Sequence, residues 1–422
     1  MHGLPFAVIA ASIGLVIEGE ASLGPPGLAA SPLAQAWQLA LGSPPSHRDA
    51  DFFAAGGDSL MIVRMVTQLR KAGVAASPAD ILRGRTFSGM LARLAELPQA
   101  ASSPRPPAAA AGPAPMLPAQ LRWLESGYAD PDHFALAWTF VVPPRTPDGT
   151  PVDAGRIEAA LHQLARTHEA LRTRYQLDPP AADVLPEPPP GLLSIAELPS
   201  SADEGTVATA LMRCHREHVL SEGRVLAATW LPTQRLLQVA AHHLTLDGLS
   251  LSVLADDLED LLLDRPLRGR RTQPRDYAAA LHTWLAGASA ATDAATWANL
   301  DWSGVRPIPT DRTGLSLLAS MEAEVGTLDA DQTAALHTAA ARLRCSAETL
   351  ILATVGTALA GYFGPPAVSI DTYHHGRDGE PGGLDLTGAI GYVQCSYPVV
   401  LACGPGAAGP RTAVDQIGRA HV

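Results

Sequence analysis

Between residues 31 and 97 the apolar positions recur at helical spacing in four short runs. Ser31-Pro32 offers an N-cap with proline at the first helical position. Leu33, Trp37 and Leu41 supply one face, and Gly42 ends the run. After Pro44 and Pro45, the string Asp51-Phe52-Phe53-Ala54-Ala55-Gly56-Gly57-Asp58-Ser59-Leu60 leads into a second helix with Leu60, Val63, Val66 and Leu69 on one face. Arg70, Lys71 and Gly73 close it, as the helix dipole and a left-handed terminal position prefer. Ser77-Pro78 starts a third helix and Phe87, Leu91 and Leu94 mark a fourth, so residues 30–97 read as a small helical bundle. Residues 98–115, Ala- and Pro-rich with Arg105 as the single charge, read as a semi-extended linker. From Met116 the pattern changes. Strands are predicted over Ala135–Val142, Leu236–Ala241 and Val368–Tyr373, and helices over Ile157–Thr173, Leu251–Leu263, Asp276–Leu285 and Asp329–Ala341, which is an α/β or α+β unit. No internal repeat of solenoid period is visible.

Composition narrows the function classes. With 47% hydrophobic and 17% charged residues the chain has material for two or three folded domains. Its 42 acidic and 30 basic residues leave a net charge of −12 without a long basic run, which argues against nucleic acid as a partner. The apolar stretch from Phe6 to Ile17 is broken by Ser12 and Gly14, is too short for the roughly 20 residues of a membrane helix, and follows no Lys or Arg. Cys214, Cys345, Cys395 and Cys403 lack metal-ligand spacing, so no metal site and a reducing cytoplasm are expected. Lys71 is the only lysine, a sign of GC-rich coding. The last six residues, Ile417 to Val422, back-translate to a common sequencing-adapter sequence, so the natural protein is expected to continue beyond Gln416.

Ser59 follows two glycines and precedes a helix, which exposes its hydroxyl and would place a phosphodiester where backbone N–H groups favour an anion. An ordinary N-cap fits the same four residues. The longer string from Asp51 to Leu60, inside a helical unit of this size, resembles the peptidyl carrier domains of nonribosomal peptide synthetases. That resemblance implies 4′-phosphopantetheine, covalently attached at Ser59, whose thiol holds an aminoacyl or peptidyl thioester. It implies a phosphopantetheinyl transferase, an upstream adenylation domain and neighbouring synthetase modules or carriers as partners. Residues 1–29 resemble the tail of an adenylation domain in Leu4-Pro5, the β-rich apolar run behind it and a Gly-Pro turn before the carrier, and lack that tail's lysine.

The predicted strand Leu236–Ala241 runs into His242-His243-Leu244-Thr245-Leu246-Asp247-Gly248. Adjacent histidines on a strand point opposite ways and make poor joint metal ligands. The pattern HHxxxDG resembles the active-site motif of the condensation-domain superfamily. Met116-Leu117-Pro118-Ala119-Gln120-Leu121-Arg122-Trp123, His168-Glu169-Ala170-Leu171-Arg172-Thr173, Asp276-Tyr277 with Trp284, and Gly388-Ala389-Ile390-Gly391-Tyr392 are similar to further motifs of that family in the same order. The fold implied is a two-lobed chloramphenicol-acetyltransferase-like α/β domain, with residues 116–305 as first lobe and 306–422 as a partial, C-terminally truncated second lobe. By the same resemblance His243 is the functional imidazole and His242 is structural. Asp247 is expected to pair with Arg172 and hold the motif loop, and Gly248 leaves room for the thioester arm.

The superfamily either joins two carrier-bound substrates by an amide bond or inverts the α-carbon of one. Gly-Gly-Asp-Ser in the carrier, Pro131-Asp132-His133-Phe134, Tyr397-Pro398-Val399 and the upstream carrier lean toward epimerisation. That reaction needs a second acid/base, which the family takes from a glutamate in EGHGR, and here the string reads Tyr373-His374-His375-Gly376-Arg377. Tyrosine, whose unperturbed pKa is about 10, is a poor base at neutral pH, which counts against Tyr373, and Asp371 and His374 are the other candidates. Asp247-Gly248-Leu249-Ser250-Leu251 resembles condensing members. Condensation is therefore the first expectation, epimerisation the alternative, and a non-catalytic docking platform a third reading.

Overall fold

The computed structural model describes residues 31–97, 111–402 and 414, apart from 54, 58, 75, 268–271, 308, 310–319, 344, 365–366 and 378–383. The upstream tail, most of the linker, Cys403 and the final six residues lie outside the described residues, as do the side chains of Ser59 and Leu60.

The first unit is built from caps. Ser31 accepts a hydrogen bond from Ala34 N and opens α1 (Pro32–Leu41), which stops where Gly42 turns left-handed at φ 74°. Ser59 opens α2 (Ser59–Lys71). Ser77 and Asp80 form a reciprocal capping box on α3 (Pro78–Gly84), and Thr86 caps α4 (Phe87–Ala95). Trp37 from α1 meets Phe52 and Phe87 edge-on, at centroid distances of 5.4 and 5.7 Å, among buried Leu33, Met65, Val66 and Leu69.

In the second unit, β1 (Gly112–Ala114), β3 (Thr173–Leu177) and β4 (Pro180–Val184) form a small antiparallel sheet in the order β1-β4-β3. Gly112–Ala114 was expected to be linker. It is an edge strand instead, where Pro113 is tolerated because no neighbour needs its missing N–H. Between β1 and β3 run α5 (Pro118–Glu125), β2 (Ala135–Val141) and α6 (Ala154–Thr167). The predicted helix to Thr173 ends six residues early: His168 is extended, Glu169–Arg172 is a 3-10 turn, and Thr173 starts β3. His168 Nε2 lies 2.8 Å from Asp257 and is buried with it, which turns the chain out of the helix.

The main sheet adds β5 (Leu193–Ile195), β6 (Leu226–Leu231) and β7 (Leu236–His242), ordered β2-β7-β6-β5. Every residue of the central strand β6 is buried. The remaining first-lobe helices are α7 (Glu204–Leu211), α8 (Gly248–Leu262), α9 (Pro274–Leu285) and α10 (Ala288–Ala298). Residues of α6 and α8 share one core with the sheet. The second lobe packs α11 (Ala330–Leu343) and α12 (Ala347–Phe363) with the antiparallel pair β8 (Ala367–His374) and β9 (Cys395–Ala402).

Residues 384–393 lie between the lobes. Ile390 enters the first-lobe core, Tyr392 joins the cluster of Trp123, Tyr175 and Leu244, and Leu386, Ala389 and Val393 pack with Leu117 and Ala278. We call this segment the latch. The seam between the lobes is therefore a hydrophobic interface as well as a polar one.

A Cβ built on Gly57 would stand 2.3 Å from the Phe52 ring, so the loop leading to Ser59 lies flat on the carrier core. The Gly57→Ala substitution is expected to cost the carrier about 1–3 kcal/mol by overpacking, measured by chemical unfolding; unchanged stability would show that the loop does not rest on Phe52.

Candidate active site

Strand β7 ends on His242, and His243 is the first residue of the turn that follows it. His242 is fully buried: its Nε2 bonds the Pro131 carbonyl at 2.7 Å, its Nδ1 accepts from Leu244 N at 3.1 Å, and its ring meets Trp123 edge-on at 5.6 Å. Burial pushes its pKa down to about 3 despite the favourable Pro131 carbonyl. These contacts use both ring nitrogens for structure.

His243 is half-buried, between the rings of Phe134 (5.8 Å) and Tyr392 (4.8 Å). Its backbone N–H bonds Phe134 O at 2.6 Å, while its buried Nδ1 has no hydrogen-bond partner among the described residues. Burial lowers its pKa, against the opposing pull of neighbouring backbone and the Asp247 carboxylate, so the imidazole is neutral at neutral pH. A neutral ring with an unused nitrogen can accept a proton.

Asp247 caps α8, accepting from Ser250 N at 3.0 Å and Ser250 Oγ at 2.9 Å. Its expected partner was Arg172; its partner is Arg377, which reaches both carboxylate oxygens at 2.8 Å. The reason is positional. The turn carrying Arg172 feeds β3, and Arg172 donates to Leu185 O beside the β3–β4 hairpin. Arg377 follows Gly376, whose φ of +68° and close approach to Val393 O exclude a side chain and aim the next residue at the motif loop. Arg377 also donates to Ser250 Oγ (3.1 Å), Ala389 O (3.2 Å) and His375 O (2.9 Å), while Val393 N and Gln394 N each donate to Asp247 at 3.0 Å. Burial would raise the Asp247 pKa, but Arg377 and these bonds hold it below the usual carboxylate value.

Other positions were unassigned by sequence reasoning. Gln120 of the opening motif takes the Leu117 N–H on its oxygen and donates to Leu244 O (2.9 Å) and the Tyr175 hydroxyl (3.0 Å), bracing the motif loop from below. A buried glutamine in a recognised motif was the available signal; the contact partners were not visible. Of the second-base candidates, Asp371 is 3.5 Å from Arg122 and His374 lies stacked on His375 at 4.5 Å. Tyr373 is 68% exposed, and its charge acts on Tyr392, the ring beside His243; burial first, then Tyr373, raises the Tyr392 pKa to about 12.

Gly248 is exposed, and a Cβ there would meet nothing within 4 Å. In the carrier, Ser59 is the first residue of α2, where N–H groups have no intrahelical partner. The helix N-terminus at Ser59 fits the phosphate of a phosphopantetheine arm.

A helical carrier followed by a two-lobed domain with a histidine at the seam is the architecture of a carrier-linked condensation-type protein. The family described as Condensation domain matches residues 113–417, and Phosphopantetheine attachment site matches residues 31–94. The chain belongs to the condensation-domain family and has a phosphopantetheine attachment domain ahead of it. It is 27% identical over 388 residues to chondramide synthase cmdD of Chondromyces crocatus, covering 86% of this chain and 10% of that protein. To malpinin synthetase of Mortierella alpina it is 28% identical over 297 residues, covering 66% of this chain and 4% of that protein. Among solved structures, the epimerization domain from the third module of tyrocidine synthetase B aligns with a TM-score of 0.62 at 21% identity, covering 74% of this chain and 73% of that one. The first condensation domain of the calcium-dependent antibiotic synthetase aligns with a TM-score of 0.54 at 20% identity, covering 73% of each. These structural likenesses show the fold. The chain spans a tenth or less of the length of these two curated relatives.

Buried His242 and His218, half-buried His243, and His215 with its pKa pushed to about 4 all sit below the ordinary histidine value because burial opposes their charged form. Each folded pKa lies below the unfolded one, so the unfolded chain binds more protons under pH 6.5 and stability falls as pH drops from there toward the folded values. The slope per histidine is up to about 1.4 kcal/mol per pH unit. Urea unfolding from pH 7 to pH 5 should show this loss, and His242→Gln should flatten it; a pH-independent midpoint would mean that the histidines titrate normally.

Proposed function

We propose that the second unit forms an amide bond between two carrier-bound substrates in nonribosomal peptide synthesis, with the donor or acceptor presented on Ser59. The observation that carries this reading is His243: a neutral, half-buried imidazole at the HHxxxDG loop, held between Phe134 and Tyr392, whose ring, unlike that of His242, keeps a nitrogen, the buried Nδ1, without a partner among the described residues. Phosphopantetheine on Ser59, when bound, supplies the flexible arm and the thioester that activates the acyl carbon.

His243 holds the acceptor amine or takes its proton as the nitrogen attacks that carbon; the C–N bond forms as the thioester C–S bond breaks, and the proton taken from the amine passes to the departing thiolate. Phe134 and Tyr392 fix the ring plane. Asp247, occupied by Arg377 and backbone donors, keeps the motif loop in place and does not touch the reacting atoms. His242 secures the strand end. The two lobes supply the alignment from which much of the rate comes.

Epimerisation remains the second reading, on one observation: Tyr373, at the position of the family's glutamate, is close enough to act on Tyr392 beside His243. Against it, the phenol is exposed, Asp371 faces Arg122 and His374 packs on His375. The carrier entails a phosphopantetheinyl transferase and neighbouring modules; an upstream adenylation domain as the source of the loaded amino acid, and a cytoplasmic setting, complete the proposal.

The test uses holo protein loaded with an aminoacyl group, an acceptor carrier and deuterated buffer. Dipeptide should form without deuterium uptake at the α-carbon, and His243→Ala should slow it by about 10²–10⁴-fold if the imidazole is the base. Uptake that depends on His243 would instead establish epimerisation, and neither activity would leave a docking platform.

A further inference from the structure

The carrier and the second lobe approach at two places, one at Arg70 near the end of α2 and one at Gly56 in the loop before it. At the C-terminal end of α2, Arg70 donates through Nε to Ala76 O of its own domain at 2.7 Å and through Nη1 to the Asp385 carboxylate and the Thr387 hydroxyl. The bond to Ala76 fixes the guanidinium, so its free edge points out of the carrier. At the other end, Gly56 lies three residues before Ser59, and a Cβ there would be 3.3 Å from His337 Cε1 of α11. Gly56 also has a φ of +96°, so both backbone and space call for glycine. The 13 residues of α2 span about 20 Å. The helix thus lies along the second lobe with its serine end at α11 and its basic end at residue 385.

Asp385 and Thr387 belong to the latch. Asp385 O is also held by Thr272 Oγ1 at 2.6 Å, from the first-lobe segment between α8 and α9. Six residues beyond Asp385, Gly391 O accepts from Asp247 N and Ser250 Oγ, and Val393 and Gln394 donate to the Asp247 carboxylate. One stretch of chain therefore takes the carrier's arginine on two side chains at one end and holds the HHxxxDG loop through its backbone at the other.

We infer that Arg70, with Asp385 and Thr387, is a reversible docking contact through which this chain's own carrier seats on the second lobe and braces the latch that holds the motif loop. The occupant is the carrier itself, seated there by charge complementarity. Reversibility follows from exposure: the two side chains are 29% and 52% accessible, and such ion pairs are weak and screened by salt. A carrier that must visit other catalytic domains needs a contact of that strength. The inference does not depend on which reaction His243 serves.

The test is hydrogen–deuterium exchange by mass spectrometry on the full chain, comparing wild type with R70E and R70A. Asp385 is left intact because its carboxylate also holds Thr387 N at 3.0 Å, within the latch itself. Residues 384–394 should exchange severalfold faster in R70E, less so in R70A, while α1, α3 and α4 keep wild-type protection. Wild type moved from about 0.05 to 1 M salt should shift toward R70E, because screening at 1 M reaches about 3 Å. That salt arm needs no substitution and stands even if R70E unsettles the carrier. Latch exchange that is insensitive to salt, or equal in wild type and R70E with a folded carrier, would overturn the inference.

Discussion

The carboxylate of Asp247 receives hydrogen bonds from both sides of the interlobe seam: Ser250 from its own helix, and Arg377, Val393 and Gln394 from the second lobe. The Arg377 and Asp247 side chains are 0% and 2% exposed. An ion pair withdrawn from water this completely costs several kcal/mol per ion in desolvation, and it persists only when geometry and extra hydrogen bonds offset that loss. Here they do, through a bidentate guanidinium and backbone N–H donors. The seam is thereby fixed in one register, which a purely apolar interface of Leu117, Ala278, Leu386, Ala389 and Val393 would define less sharply.

The difference between the two histidines follows from this clamp. Once Asp247 fixes the start of α8, the short connection between β7 and that helix has little freedom. His242 turns inward onto Pro131 and Trp123, and His243 sits between the rings of Phe134 and Tyr392. Burial makes both rings neutral, but only His243 keeps a nitrogen without a partner. The latch then serves two purposes: it contributes Tyr392 to the histidine's pocket and its backbone to the Asp247 carboxylate.

Local signals in the sequence were sufficient for the carrier. Ser31 and Ser77 cap helices where capping residues precede apolar runs, and Gly42 ends α1. The strand into His242 was legible as a short apolar run, and the motif order identified the family. Less was legible where pairing is long-range. Strand β6 is apolar at nearly every position and carries no alternation, and β1 hides in a proline-rich stretch. Arg172 and Arg377 are equally plausible partners for Asp247 by residue type. The choice depends on Gly376 turning left-handed against Val393, far along the chain from the motif, and no local pattern encodes that contact.

A double-mutant cycle on Asp247 and Arg377 by urea unfolding tests the clamp most directly. Asp247→Asn and Arg377→Met should each cost about 3–5 kcal/mol, since each strands the other charge in the interior. The double variant should cost less than their sum by about 2 kcal/mol or more. Costs that add to within about 0.5 kcal/mol would mean the two residues act independently, and would contradict a seam organised by this ion pair.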